Sequence, residues 1–229
     1  MKRVVRTEAE CTEAEIAGLV RAISERKLTR AHLEIGTAAG GTLKRMLLAY
    51  PSTERPKFVV VDPLTYFPKQ REAIEANLAS AGIDPHSVEF RVETSAKALA
   101  KALRAQERFD FILIDGNHSL RPVTEDLRWT RLLVPGGFVC LHDYVHLDHV
   151  VIPGVKIALD RFLARHANYR LQEVVGGMAV VQKLDWGEPE IGHAALAEAT
   201  IRQIAWKWSH SLRKRLPRYA KSSDPTRGR

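Results

Sequence analysis

Glu34-Ile35-Gly36-Thr37-Ala38-Ala39-Gly40-Gly41 is the stretch on which the reading of this chain turns. It follows a short apolar run at 32–35 and opens a stretch with helical character near 40–49. A glycine-rich turn between strand and helix lets backbone come close to a ligand, and the unpaired N–H groups of the helix start favour an anion. Two ligand readings compete. Gly36-x-Ala38-x-x-Gly41 is a degraded dinucleotide fingerprint, whereas Glu34-x-Gly36-x-Ala38-x-Gly40 is an acidic-x-Gly-x-small-x-Gly pattern. Glu34 favours the second, because a carboxylate in the strand end repels a pyrophosphate but suits a nucleoside that carries a charged amino-acid end. The remaining alternative is a tight turn with no ligand. Asp62 weighs against it: this residue ends the run Phe58–Val61, where a carboxylate can accept both ribose hydroxyls.

Outward from the loop, short apolar runs alternate with helical stretches. The runs lie at 32–35, Phe58–Val61, 88–92, Phe109–Ile114 and 138–141, and the helical stretches near 40–49, 69–81, 95–105 and 121–133. Such alternation predicts a mostly parallel sheet with helices on both faces. Ile16, Leu19, Val20 and Ile23 predict an amphipathic opening helix, capped by Thr12 with Glu15 three residues on. Val155, Ala158, Leu159, Phe162 and Leu163 predict another. Tyr169–Val175 and Met178–Lys183, joined by Gly176-Gly177, read as a β-hairpin. The fold class is therefore α/β, a doubly wound, Rossmann-like, seven-stranded and mostly parallel sheet ending in a C-terminal antiparallel hairpin. Residues 1–185 form this domain. Residues 186–229 form a tail, helical around 194–208 and then disordered in composition from about 213.

With 229 residues and 45% hydrophobic content, the chain suits one sizeable domain. No apolar stretch reaches the roughly 20 residues that span a bilayer, and the N-terminus lacks an apolar signal core. Cys11 and Cys140, the two cysteines, do not make a disulfide framework. A reduced, cytoplasmic setting is expected. The net charge of +8 is localised: residues 201–229 hold nine Lys/Arg against Asp224 alone, and the rest of the chain is balanced. A neutral body argues against nucleic acid as the partner, because a phosphate-binding stripe should lie on the folded surface around the site. Trp206 and Trp208 stand just before the basic cluster. Aromatic residues beside cations suit a membrane surface or a docked partner; the plainer reading is a helix packed on the domain or on a subunit of a homo-oligomer, followed by a solvated tail.

Ligands of a doubly wound sheet sit beyond the carboxyl ends of its strands. Phe109–Ile114 leads into Asp115-Gly116-Asn117-His118, and the run at 138–141 leads into His142-Asp143-Tyr144. Asp115, His142 and Asp143 are thus candidate ligands of a divalent metal. The two acids suit Mg²⁺, and His142 also permits Mn²⁺ or Zn²⁺. His118 and Asp115 are the candidate catalytic residues, with His118 placed to receive a proton. Each has a structural alternative: Asp115 as a turn cap, His142 as a partial-core residue, His118 as a brace for its loop. The third run leads to Ser95, read as a helix N-cap that also reaches a bound nucleoside. His146, Asp148 and His149 read as part of a mobile lid rather than a second metal site.

Taken together, Leu33-Glu34-Ile35-Gly36-Thr37 with Gly40-Gly41-Thr42-Leu43, Ile114-Asp115-Gly116-Asn117-His118-Ser119, Leu133-Val134-Pro135-Gly136-Gly137-Phe138 and His142-Asp143-Tyr144 resemble the class I S-adenosylmethionine-dependent methyltransferases. The likeness is nearest to a small-molecule O-methyltransferase branch that includes macrocin O-methyltransferase-like and cephalosporin-hydroxylase-like proteins, and it runs from about 31 to 183. It implies S-adenosyl-L-methionine as cofactor, contacted by Glu34, Gly36, Thr37, Gly40, Asp62 and Ser95. It also implies a metal held by Asp115 and Asp143 and a small-molecule acceptor such as a sugar or natural product. In several relatives an acidic residue stands where this chain has His142, a departure that bears on which metal is held and whether one is. Acceptor specificity is expected in the opening segment, the loop at 144–153 and the segment after Trp186.

Overall fold

The computed structural model describes residue 9 and residues 11–24, 28–145, 154–189 and 191–215, with side chains to residue 208. His146, Asp148 and His149, most of the lid loop, the first eight residues and the tail from 216 lie outside the described residues.

Seven strands make one sheet: β1 (Ala31–Ile35), β2 (Phe58–Val61), β3 (Val88–Arg91), β4 (Phe109–Ile114), β5 (Leu133–Leu141), β6 (Tyr169–Val175) and β7 (Met178–Lys183), in the order β3-β2-β1-β4-β5-β7-β6. β3, β2, β1, β4 and β5 pair in parallel, and β7 runs antiparallel to both β5 and β6. The hairpin is therefore present, with its second strand inserted next to β5, so β7 alone opposes the other six. The strand order reverses between β1 and β4, which puts the ligand crevice beyond their carboxyl ends.

The central strands are apolar at every position but a few because both faces are covered. Leu33, Ile35, Val59, Val61, Ile112 and Ile114 face one core; Phe58, Val60, Phe111, Leu113, Phe138 and Cys140 face the other. The second core lies under α1 (Glu13–Ser24), α2 (Gly41–Leu48) and α3 (Gln70–Ala79). The first lies under α4 (Ser95–Arg104), α5 (Leu120–Asp126) and α6 (Gly154–Arg165). His32 and Glu34 are the polar positions of β1. His32 is accommodated by the Tyr50 hydroxyl at 2.5 Å and by Asp110 Oδ1 at 2.9 Å from its Nδ1. Glu34 has no such partner and marks the strand end that meets the crevice.

Two local features differ from the periodicity. The helical stretch expected at 121–133 ends as an α-helix at Asp126 and continues as 3-10 turns over Leu127–Leu132. β5 starts at Leu133 and breaks register across Pro135-Gly136-Gly137, where Gly137 is needed because a Cβ would sit 2.7 Å from the Asp110 carbonyl oxygen. The C-terminal helix expected at 194–208 is α7 (His193–Arg215). It packs on α5 and α6: Ala199 is buried, the Arg121 amide donates to Gln203 Oε1 at 3.1 Å, and Arg161 pairs with Glu198. Ile201, Ile204 and Trp208 are exposed. No helix among the described residues is long and apolar enough to cross a membrane. Neither cysteine is disulfide-bonded.

Candidate active site

The glycine-rich loop is held almost entirely through backbone. Gly36 takes φ +84° and Gly40 φ +76°, conformations that a side chain disfavours. A Cβ on Gly36 would lie 2.5 Å from Gly116 Cα and 2.6 Å from the Asp115 carbonyl oxygen, so the loop after β1 and the loop after β4 touch through bare main chain. The Gly36 amide donates to the Val61 carbonyl at 3.0 Å, and the Asp115 amide donates to the Ile35 carbonyl at 2.9 Å. No side chain caps α2, which leaves its first amides without a side-chain acceptor.

Asp62 braces this loop as well as facing it: Oδ2 accepts from the Thr37 amide at 2.9 Å and Oδ1 from the Leu64 amide at 2.6 Å. Each oxygen keeps a second lone pair. Two residues absent from the sequence reading complete the brace. Gln70 Nε2 donates to the Thr37 and Ala38 carbonyls at 2.9 and 3.1 Å, and Asn77 Nδ2 donates to the Ala39 carbonyl at 3.0 Å. Their signal was available: Gln70 and Asn77 are polar residues on the same face of α3 as the buried Ile74 and Leu78.

The loop opens onto a crevice of about 780 Å³ whose wall includes Gly36, Thr37, Asp62, Ser95, Asp115 and His118. That is within the range of cofactor sites. Beside it, Glu34, Thr37, Gly40 and Asp115 line a smaller recess. Glu34 Oε2 and Thr37 Oγ1 are buried there without hydrogen-bond partners. Buried polar atoms are nearly always satisfied, so this recess is built to receive a polar group. Burial first, then the neighbouring Asp115 and Asp62 charges, push the Glu34 carboxyl well above the usual range.

Ser95 lines the crevice but is not the helix cap. Thr94 occupies the N-cap position of α4, and Ser95 Oγ instead accepts the Trp129 indole N–H at 2.9 Å. The indole needs an acceptor because Trp129 is fully buried. Asp126 lines the same wall, and burial lifts its pKa to about 7.

At the other end of the crevice the sheet brings Asp115, His118, His142 and Asp143 together. His142 Nδ1 lies 2.9 Å from Asp115 Oδ1 and 3.7 Å from Asp143 Oδ1. His118 Nδ1 lies 2.8 Å from Asp143 Oδ2, and its Nε2 lies 3.3 Å from Asp115 Oδ1. Asp143 is held at φ +55°. Burial opposes charging both imidazoles, yet it is outweighed: Asp115 and Asp143 raise His118 to about 9, and Asp115 with Cys11 raises His142 to about 12. Burial likewise opposes the Asp115 charge, and the two imidazoles overcome it and lower its pKa. As it stands, the cluster is two cations gripped by two anions, and His118 is a poor base.

The cluster fits a divalent ion. Two groups of potential ligands, Cys11/Asp115/His142 and His118/His142/Asp143, each have their donor atoms within 4.8 Å of one another. His142 Nδ1, although close to Asp115, is buried and out of line for a hydrogen bond. His32 Nδ1 and Asp110 make a similar unaligned pair at 2.9 Å; what sets His142 apart is that Cys11, His118 and Asp143 also converge on it. Cys11, which the sequence reading treated only as a redox marker, is thereby placed at the site. The N-terminal capping box puts it there: Glu15 Oε2 accepts from the Thr12 amide at 2.7 Å, and the Thr12 hydroxyl accepts from the Glu15 amide at 3.3 Å.

Comparison with known proteins agrees with this geometry. The model of a methyltransferase-domain family matches residues 33–144. No curated protein matches the sequence. Among solved structures, the O-methyltransferase TomG of Streptomyces achromogenes, involved in tomaymycin synthesis and captured with SAM, superposes with a TM-score of 0.61. It shares 21% identity over 76% of this chain and 81% of its own. An O-methyltransferase of Bacillus cereus in complex with SAH superposes equally well, at 19% identity over 76% of this chain and 83% of its own. The loop at 34–41, the crevice at the strand reversal and the family match lead to one conclusion: residues 33–144 match a methyltransferase domain, and the chain shares the fold of O-methyltransferases solved with SAM or SAH.

Proposed function

We propose that the chain transfers the methyl group of S-adenosylmethionine to a hydroxyl of a small molecule, a sugar or other natural product, with a divalent ion at the Asp115 cluster. The observation that carries this reading is the juxtaposition of two sites through the Gly36–Gly116 backbone contact. On one side is a crevice with an unsatisfied buried carboxyl, Glu34; on the other is a cluster of imidazoles and carboxylates.

Glu34 and Thr37 take up the amino-acid end of the donor in the buried recess. Asp62 holds the ribose through its spare lone pairs. Asp115, His142 and Asp143 would hold the ion. A bound divalent cation supplies Lewis acidity that lowers the pKa of the acceptor hydroxyl and fixes it in place. His118 then has a defined part. Its Nδ1 faces Asp143 and its Nε2 faces Asp115, which places the imidazole where it would accept the hydroxyl proton if those carboxylates were neutralised by a bound ion. The acceptor oxygen forms the new O–C bond, the S–CH₃ bond breaks with its electron pair passing to sulfur, and the product is a neutral thioether. Positioning of the reactants in line supplies much of the rate.

The test is calorimetry with S-adenosylhomocysteine, followed by a methyl-transfer screen over hydroxylated small molecules with and without added Mg²⁺, Mn²⁺ and Zn²⁺. Binding of the nucleoside and ion-dependent methylation of a hydroxyl are expected. Transfer to nitrogen or carbon, or transfer unaffected by chelator, would overturn the corresponding part of the reading.

A further inference from the structure

Cys11 belongs to the apolar core beneath α1, α2 and α3, yet polar groups meet its sulfur. It is 6% exposed, its Sγ accepts from the Thr42 hydroxyl at 3.6 Å, and it lies 4.0 Å from Asp115 Oδ2. His142, 8% exposed, completes the group and contributes the buried Nδ1 that lacks an aligned hydrogen bond. Cys11 and Cys140 both belong to that apolar core, but the Cys11 sulfur also meets Thr42 and Asp115. A sulfur, an imidazole and a carboxylate converging on one point is a different arrangement.

The position of Cys11 is also fixed independently of the cluster. Glu15 closes the capping box at the start of α1, and its Oε1 accepts from the Gly177 amide at 2.8 Å at the tip of the β6–β7 hairpin. Gly177 in turn accepts from the Val145 amide at 2.9 Å, just after Asp143. The segment that carries Cys11 is thus tied to the hairpin and to the loop after β5, over the ends of the strands that carry Asp115 and His142.

We propose that Cys11, Asp115 and His142 form a three-ligand site for a thiolate-accepting divalent ion of the zinc class, with the fourth position open to the acceptor oxygen or to water. This rests on the reading of the cluster as a metal site and revises its ligand set: Cys11 takes the place given above to Asp143, and the metal is named. Three protein ligands with an open fourth position are the pattern of catalytic rather than structural zinc. The spacing supports it. The donor atoms of Cys11, Asp115 and His142 lie within 4.8 Å of one another, and ligand atoms around tetrahedral zinc stand about 3.3–3.5 Å apart, from bond lengths of about 2.0–2.3 Å, so the three need only draw in toward a shared ion. The donor set decides the metal. Mg²⁺ takes oxygen ligands in octahedral geometry, whereas thiolate with imidazole selects zinc and its analogues. Asp143 and His118 then stand beside the ion, where an outer carboxylate and a proton acceptor belong.

The test uses the full chain freed of metal with a chelator. Cobalt(II) titration should give one equivalent bound, with a thiolate-to-cobalt charge-transfer band in the near ultraviolet. Zn²⁺ should displace the cobalt, and Mg²⁺ in large excess should not. Cys11→Ser should abolish the band and weaken zinc binding by at least about 100-fold, beyond the 10–100-fold typical of losing an outer partner. X-ray absorption of the wild-type zinc form, which needs no variant to fold, should show one sulfur at about 2.3 Å. Cobalt bound without the band, a zinc shell of nitrogen and oxygen only, or unchanged affinity in Cys11→Ser would overturn the role of Cys11 and leave an oxygen–nitrogen metal site standing. Failure of cobalt, zinc and Mg²⁺ to bind a protein that still binds S-adenosylhomocysteine would overturn the metal reading itself.

Discussion

The two ends of the crevice are built from different material. The donor end is main chain: glycines at positive φ, amide–carbonyl contacts between neighbouring loops, and side chains such as Asp62, Gln70 and Asn77 whose partners are backbone atoms. The acceptor end is side chain: Asp115, His118, His142 and Asp143 hold one another, and Cys11 reaches them from more than a hundred residues away. Backbone recognition suits a ligand that does not change, and a side-chain cluster can be retuned for chemistry and for the acceptor without disturbing the first. Mutations at the two ends should therefore fail in different observables.

The largest effect is expected from Gly36→Ala. The added methyl meets backbone at 2.5–2.8 Å and strains a residue at φ +84°, so nothing flexible can yield. Loss of detectable S-adenosylhomocysteine binding and destabilisation of several kcal/mol, on the order of the exceptional point mutants, should be seen by calorimetry and thermal unfolding. Near-normal affinity would break the backbone account of the donor end.

Next, Asp115→Asn should lower kcat by about 100–1000-fold, the size of losing one electrostatic stabiliser at a reaction centre. S-adenosylhomocysteine affinity should change only a few-fold. A variant that loses donor binding as severely as turnover would erase the distinction between the two ends.

Gln70→Ala tests the brace. It removes donors to two carbonyls and leaves them unpaired at a buried position, a cost of about 1–3 kcal/mol. A roughly tenfold loss of donor affinity is expected, with kcat at saturating donor close to wild type.

The last effect leaves turnover aside and concerns the pH dependence set by Asp126. Burial, opposed only in part by Ser95, raises its pKa to about 7. In the unfolded chain the same carboxyl titrates near about 3.9. Between these values the folded state keeps a proton that the unfolded state has released, so stability falls as pH rises through this window and levels off above about 7. Asp126→Asn should remove that slope, which is at most about 1.4 kcal/mol per pH unit. Unfolding midpoints at pH 5 and pH 8 should differ less in the variant than in the wild type.

The division also explains what could be read in the sequence. The strands Phe58–Val61 and Phe109–Ile114 were legible because buried strands are mainly apolar runs bounded by turns, and Tyr169–Val175 and Met178–Lys183 because Gly176-Gly177 marks the turn between them. The glycine loop was legible because its backbone demands leave a local mark. Placement of β7 between β5 and β6 was not, since pairing order is a long-range property that no local pattern carries. Ser95 was misread as a cap because Ser and Thr stand side by side and the choice was made by Trp129, distant in sequence. Cys11 was missed as a site residue for the same reason. Its chemistry depends on Asp115 and His142, which only the sheet brings near.

The bare contact between Gly36 and Gly116 has an engineering consequence. Two peptide planes set the spacing between the crevice and the cluster, so that spacing behaves as a fixed gauge rather than a tunable parameter. Anyone redirecting this chain toward another acceptor should treat those two glycines as the datum of the design and vary what surrounds the cluster. Insertions in either loop would move the gauge and lose alignment before they altered selectivity.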